Sequence, residues 1–199
     1  MLMADLEIEP LWIGRRLWRT ITDELAARGD GDRESGAFLL GRRRERRAYD
    51  DRRVVAAAYY DDLDPDCLTG AITFSGSGYS RLWDLCDENG CTVLADAHTH
   101  PGSSTHQSRI DSANPMISKP GHIGVILPHL ATDDPAPRNT GVHVYLGAGD
   151  WESRFGQDAA DLLRVRTDWA LDTEQALRRI LRTQVPNVHD ASRTTRRSG

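Results

Sequence analysis

Cys91-Thr-Val-Leu-Ala-Asp-Ala-His-Thr-His-Pro-Gly-Ser-Ser-Thr-His-Gln-Ser-Arg-Ile-Asp111 is the stretch from which the rest of the chain is read. Its opening is apolar and runs up against Pro101, which predicts a buried strand over 91–100. Residues two apart on a strand share a face. His98 and His100 therefore present their imidazoles side by side, and Thr99 faces away. Pro101-Gly102 turns the chain, and a polar loop leads to Ser108. Ser108-Arg-Ile-Asp111 has the form of a helix start, a serine cap with an acid three residues on. Asp111 falls in the first turn, where the helix dipole favours the ionised carboxylate. Two histidines and one ionised aspartate make a three-ligand zinc site with the fourth tetrahedral position open to water, as catalysis requires. Each half alone has an ordinary explanation, an incidental His-x-His and a plain capping box. Their succession after an apolar strand is what points to a metal.

His-x-His, seven residues, then Ser-x-x-Asp resembles the motif of the JAMM (JAB1/MPN/Mov34) metallopeptidases. That family also carries a glutamate just before an apolar, glycine-bounded strand, and Glu34-Ser-Gly-Ala-Phe-Leu-Leu-Gly41 has that form in the expected order. The resemblance extends over about residues 5–165. The chain departs from the pattern at Gly36, one residue earlier than in many relatives, and at His106-Gln107, where relatives often carry proline. Both departures bear on the shape of a substrate groove, and neither removes a catalytic residue. The resemblance implies a single α/β domain of JAB/MPN type (cytidine-deaminase-like), a mixed sheet flanked by helices. It implies Zn2+ on His98, His100 and Asp111, with Glu34 as general base and the Ser108 hydroxyl stabilising an oxyanion. The chemistry asks for such a base independently, because an attacking water needs a group to take its proton and pass it to the leaving amine.

Members of that family cleave isopeptide bonds to ubiquitin or process the C-termini of ubiquitin-like and sulfur-carrier proteins. The implied function is a deubiquitinase-like zinc metallopeptidase acting after the C-terminus of a ubiquitin-like protein, in a prokaryotic conjugation pathway that serves antiviral defence. Its partners would be the ubiquitin-like substrate, its conjugates and E1/E2-like pathway enzymes. Sulfur-carrier processing and a non-catalytic scaffold of the same fold are the alternatives. Asp96-Ala-His-Thr-His100 also faintly resembles the opening of amidohydrolase and polymerase-histidinol-phosphatase barrels. Those place the motif on the first strand and need later ligands over a longer chain. Here it lies mid-chain with no second cluster after it. Asp96 shares the strand face of His98, which suits either a partner for an imidazole or a plain polar strand residue; the plain reading is the simpler.

At 199 residues the chain suffices for one sizeable core. The net charge of −5 speaks against a polyanion partner, so nucleic acid is not expected. Lys119 is the sole lysine; the other 24 of 25 basic residues are arginine, which we attribute to nucleotide composition. Cys67, Cys86 and Cys91 lack Cys-x-x-Cys spacing, and their odd number predicts a reducing compartment. The N-terminal residues are acidic where a signal peptide is basic, and no apolar run reaches the ~18 residues of a membrane span. The expected location is cytoplasmic.

The remaining elements are read from periodicity. A first strand is expected over 5–13 and an amphipathic helix over 15–28, on Leu17, Trp18, Ile21, Leu25 and Ala26. Strands 35–41 and 53–60 flank an Arg-rich hairpin tip at 42–47. Residues 71–74 read as a strand, Ser75–Gly78 as a turn and 79–89 as a helix ended by Asn89-Gly90. By the resemblance, the segment around 59–76 borders a groove for an extended substrate tail, where an edge strand would offer main-chain hydrogen bonds. A short helix follows Asp111, then strands at 123–127, 142–146 and 151–155 and a helix over 158–165. His106, His122, His129 and His143 lack ligand spacing to the pair. The domain is expected to run over 1–185 with a C-terminal helix from Asp172, and 186–199 to be a disordered tail.

Overall fold

A computed structural model describes residues 8–43, 52–68 and 72–167. The expected C-terminal helix and tail, the hairpin tip at 44–47 and the start of the first strand at 5–7 lie outside the described residues. The fold is mixed α/β, as expected. A six-stranded sheet has the order β4-β2-β5-β6-β7-β8, built from β2 (Gly36–Arg42), β4 (Ala56–Tyr59), β5 (Cys91–Thr99), β6 (Ile123–Leu127), β7 (Gly141–Gly147) and β8 (Asp150–Arg154). β5 and β6 are parallel and the other neighbours antiparallel. A second, all-parallel sheet joins β3 (Arg53–Val54), β1 (Leu11–Gly14) and β9 (Leu163–Arg166), with β1 in the middle.

Alternation along the central strands sorts their side chains into two cores. Ala37, Leu39, Ala95, Ala97, Ile123 and Val125 pack with Leu17, Trp18, Ile21 and Leu25 of α1 (Arg15–Gly29), and with Ala159 and Leu162 of α5 (Gly156–Leu162). Phe38, Leu40 and Ala58 pack on the opposite face with Leu82, Leu85 and Cys86 of α3 (Gly76–Asn89). The sheet is thus covered on both sides, as a buried sheet must be. Among the described residues no helix is long and apolar enough to cross a membrane.

Four expectations are corrected. Strand 53–60 breaks at Val55, because its first half pairs with β1 and its second with β2. Residues 72–75 are irregular rather than a strand; Phe74 is apolar because it packs on Phe38, Tyr60 and Tyr79, not because it enters a ladder. Ser75 is not part of a turn but the N-cap of α3, its Oγ accepting from the Gly78 amide at 3.2 Å. Finally, the helix over 158–165 stops at Leu162. Leu163–Arg166 is a strand on β1, with Arg164 and Arg166 over the Trp12 ring at 5.0 and 4.1 Å.

Candidate metal centre

β5 carries Asp96, His98 and His100 on the α3 side of the sheet by alternation. Both histidines are buried, and their Nε2 atoms lie 3.3 Å apart. The loop after Pro101 returns the chain to α4 (Arg109–Ala113), which begins with the expected capping box. Ser108 Oγ accepts from the amides of Ile110 (3.2 Å) and Asp111 (3.1 Å), and Asp111 Oδ2 accepts from the Ser108 amide at 2.7 Å. The box fixes the carboxylate against the imidazoles: Asp111 lies 3.3 Å from His100 Nε2 and 3.8 Å from His98 Nε2.

These separations test whether the donors fit a cation. Zinc–nitrogen bonds of about 2.0–2.1 Å in a tetrahedron place ligand atoms about 3.3–3.4 Å apart. The two Nε2 atoms match that spacing, as does Asp111 Oδ2 to His100 Nε2, while Asp111 faces His98 with its other oxygen, Oδ1, at 3.8 Å; the three side chains thus form a group that could hold a metal ion. Charge agrees with geometry. Burial works against charging His98, yet Asp111 and Asp96 outweigh it and raise the imidazole to about 9. Burial likewise opposes ionising Asp111, but His100 and His98 hold it well below the carboxylate range. A cluster that collects a proton this tightly offers the same electrostatics to a divalent cation, which would displace that proton. His100 Nδ1 faces the Ser104 carbonyl at 3.3 Å. A carbonyl can only accept, so the proton sits on Nδ1 and the Nε2 lone pair points to the site.

Asp96 is more than a polar strand residue. It is 4% exposed, and its Oδ1 lies 2.7 Å from His122 Nε2, while the Tyr60 hydroxyl donates to Oδ2 at 3.3 Å. The same Oδ2 is 3.9 Å from His98 Nδ1, too far for a hydrogen bond but close enough to act on its charge. Burial opposes the charge on Asp96, but His122 and His98 lower it to about 2. Alternation pairs Asp96 with His98 from sequence alone. Nothing in the sequence could supply Tyr60 and His122, which come from other elements.

Glu34 stands at the end of β2. The last ladder pair sets Gly36 opposite His98. The chains stay together beyond it, because the Thr99 amide donates to the Ser35 carbonyl at 2.9 Å and the Ser35 amide to Thr99 Oγ1 at 3.0 Å. Ser35 Oγ also donates to the Leu25 carbonyl at 2.7 Å. Half-buried Glu34 lies two residues before Gly36, next to this junction. The three ligand candidates and Ser108 therefore converge in one cluster.

A cleft of about 470 Å³ opens beside the cluster, running from His98 and Asp111 to walls of Tyr60, Phe74, Tyr79 and Trp151. Two cross-links frame it. The Tyr79 hydroxyl donates to the Met116 carbonyl at 2.7 Å, and Trp151 Nε1 donates to the Ser112 carbonyl at 3.0 Å. Tyr60 lines this cleft from a helical turn, and Ile72 and Phe74 line it from irregular chain.

No family model matches the chain. Among solved structures it is similar to protein DSY2949 from Desulfitobacterium hafniense, at 16% identity over 81% of this chain and 95% of that one, with a TM-score of 0.54. It is also similar to AF2198, a JAB1/MPN domain protein from Archaeoglobus fulgidus, at 13% identity over 80% of this chain and 98% of that one, with a TM-score of 0.39. The first likeness is one of fold.

Proposed function

We propose that the chain is a zinc metallopeptidase that hydrolyses the peptide or isopeptide bond after the C-terminus of a ubiquitin-like protein. The observation that supports the hydrolase reading is the grouping of His98, His100 and Asp111 as possible metal ligands beside a cleft, and in this reading Glu34, just before β2, serves as the base. The ubiquitin-like substrate rests on the motif His-x-His, seven residues, Ser-x-x-Asp with its upstream glutamate. In this reading the partners are the modifier, its conjugates and the activating and conjugating enzymes of the same pathway.

When bound, zinc supplies Lewis acidity, polarising a carbonyl and lowering the pKa of water from about 15.7 to about 7. The chain's own residues do the rest. His98, His100 and Asp111 would hold the ion, the Ser104 carbonyl orienting His100 and the Asp96 carboxylate acting on the charge of His98. Glu34 takes a proton from the attacking water and passes it to the leaving nitrogen. Ser108 accepts from two amides with its lone pairs, which leaves the hydroxyl proton to donate. It donates to the substrate carbonyl oxygen as charge develops there. The cleft excludes water from one side of the scissile bond and seats the residues that flank it.

The test uses the zinc-loaded full chain and a panel of ubiquitin-like proteins carrying a C-terminal reporter. Release of the reporter by the wild type, and none by Glu34→Ala at equal zinc content, is expected. Intact fusions throughout, or equal cleavage by Glu34→Ala, defeat the proposal. Metal analysis separates the alternatives: one zinc per chain is expected, none fits a scaffold, and two or more fit a different hydrolase.

A further inference from the structure

Residues 101–107 join the two halves of the donor set. They carry the Ser104 carbonyl that faces His100, and they decide where Ser108 and Asp111 arrive. His143 on β7 meets this loop at its middle. It is 1% exposed, with Nε2 2.9 Å from the Thr105 carbonyl and Nδ1 2.8 Å from Oγ of Ser153, its cross-strand partner on β8. The carbonyl can only accept, so Nε2 bears the proton and Nδ1 accepts from the Ser153 hydroxyl. Burial holds the imidazole below its ordinary value, in keeping with a neutral ring that gives one hydrogen bond and takes one. The next loop residue, His106, stacks on Phe155 with ring centres 4.4 Å apart, and Phe155 meets His143 edge-on at 5.7 Å. Gly141 allows this close approach. A Cβ there would overlap the Thr105 carbonyl and come within 2.7 Å of His143 Nε2.

We propose that His143, keyed by Ser153 and backed by Phe155, is a positioning residue of the metal centre: it clamps the 101–107 loop in the shape that brings Asp111 to His98 and His100. This rests on the metal reading of those three residues. His143 lies outside the donor set, so its part in the site is to place the loop and not to coordinate the ion. Without the clamp, the loop samples shapes that hold Asp111 away from the imidazoles. The ordering is then charged to binding, and affinity falls. A buried histidine that merely satisfies its neighbours would affect stability and leave the ion's affinity alone.

The experiment measures zinc affinity of the full chain by competition with a chromophoric chelator, and the visible spectrum of the cobalt form. His143→Ala and Gly141→Ala are expected to bind zinc about 10–100-fold more weakly, with a cobalt spectrum less tetrahedral than that of the wild type. His143→Gln, whose amide can still donate toward Thr105, should recover most of the affinity. Ser153→Ala, which frees Nδ1 but spares the Thr105 bond, should fall between. Should His143→Ala fail to fold, Gly141→Ala and Ser153→Ala decide the matter. Zinc affinity within twofold of wild type in the folded variants overturns the clamp and leaves the metal site standing. A wild type that binds no zinc overturns the site itself.

Discussion

Asp96 precedes His98 by two residues and shares its face, yet its closest partner, His122, is 26 residues away in sequence. This is the limit of legibility at the scale of single residues. The grouping of His98, His100 and Asp111 could be read because alternation sets the histidines on one side and the capping box sets the aspartate; their neighbours could not, because a contact between strands leaves no local pattern. Asp96→Asn keeps the shape but removes the charge opposite His122 and His98. A loss of about 1–3 kcal/mol of stability is expected, together with weaker zinc binding, read by thermal unfolding and chelator competition. Unchanged values on both would reduce Asp96 to a bystander. The cysteines allow a second prediction. Cys67, Cys86 and Cys91 are buried, and burial raises their thiols, Cys67 to about 12 and Cys86 to about 11. A thiol reagent at pH 8 should label the native protein slowly and the denatured protein fully. The sign for stability follows. Well below the free thiol value of about 8.5 both states are protonated, and burial costs nothing extra. As pH rises further, the unfolded thiols ionise while the folded ones resist, so stability falls through pH 9–12. A flat unfolding profile over that range would contradict the burial.

Elements were legible where one periodicity fills them. β5, β6, β7 and α1 emerge near their expected bounds because each keeps one face against one core. Residues 53–60, 72–75 and 163–166 do not, since their assignment depends on which neighbour takes their hydrogen bonds. The glycine at 36 has a physical cause. It faces Tyr60, whose ring would overlap any Cβ placed there, and Tyr60 is fully buried and cannot withdraw. The same glycine pairs with His98, so overpacking at this point is felt at the metal centre. Gly36→Ala should cost about 1–3 kcal/mol and lower zinc affinity as well. If chemical denaturation finds it as stable as the wild type, β2 and Tyr60 do not pack as described.

The two cores give the molecule a division that no single element has. The metal cluster lies on the α3 face, whereas Leu163 and the small β3-β1-β9 sheet belong to the core on the α1 face. Perturbations on the far side should therefore add to those at the site rather than couple to it, as independent positions do. Leu163 is 0% exposed, and Leu163→Ala should cost about 2–5 kcal/mol. On the proposed zinc site, an ion that binds only the folded chain contributes about 2.7 kcal/mol at a hundredfold excess over Kd. For a chain of this size that is a rise in Tm of roughly 5–11 °C. If the faces are independent, Leu163→Ala lowers Tm in the absence of zinc but gains the same increment from it as the wild type. Asp111→Asn, by contrast, keeps the metal-free Tm within a few degrees and loses most of the increment. Calorimetry of the three proteins with and without zinc reads both effects in one series. A reduced zinc increment in Leu163→Ala would mean that strain crosses the sheet, and that the site depends on the whole fold rather than on the face that carries it.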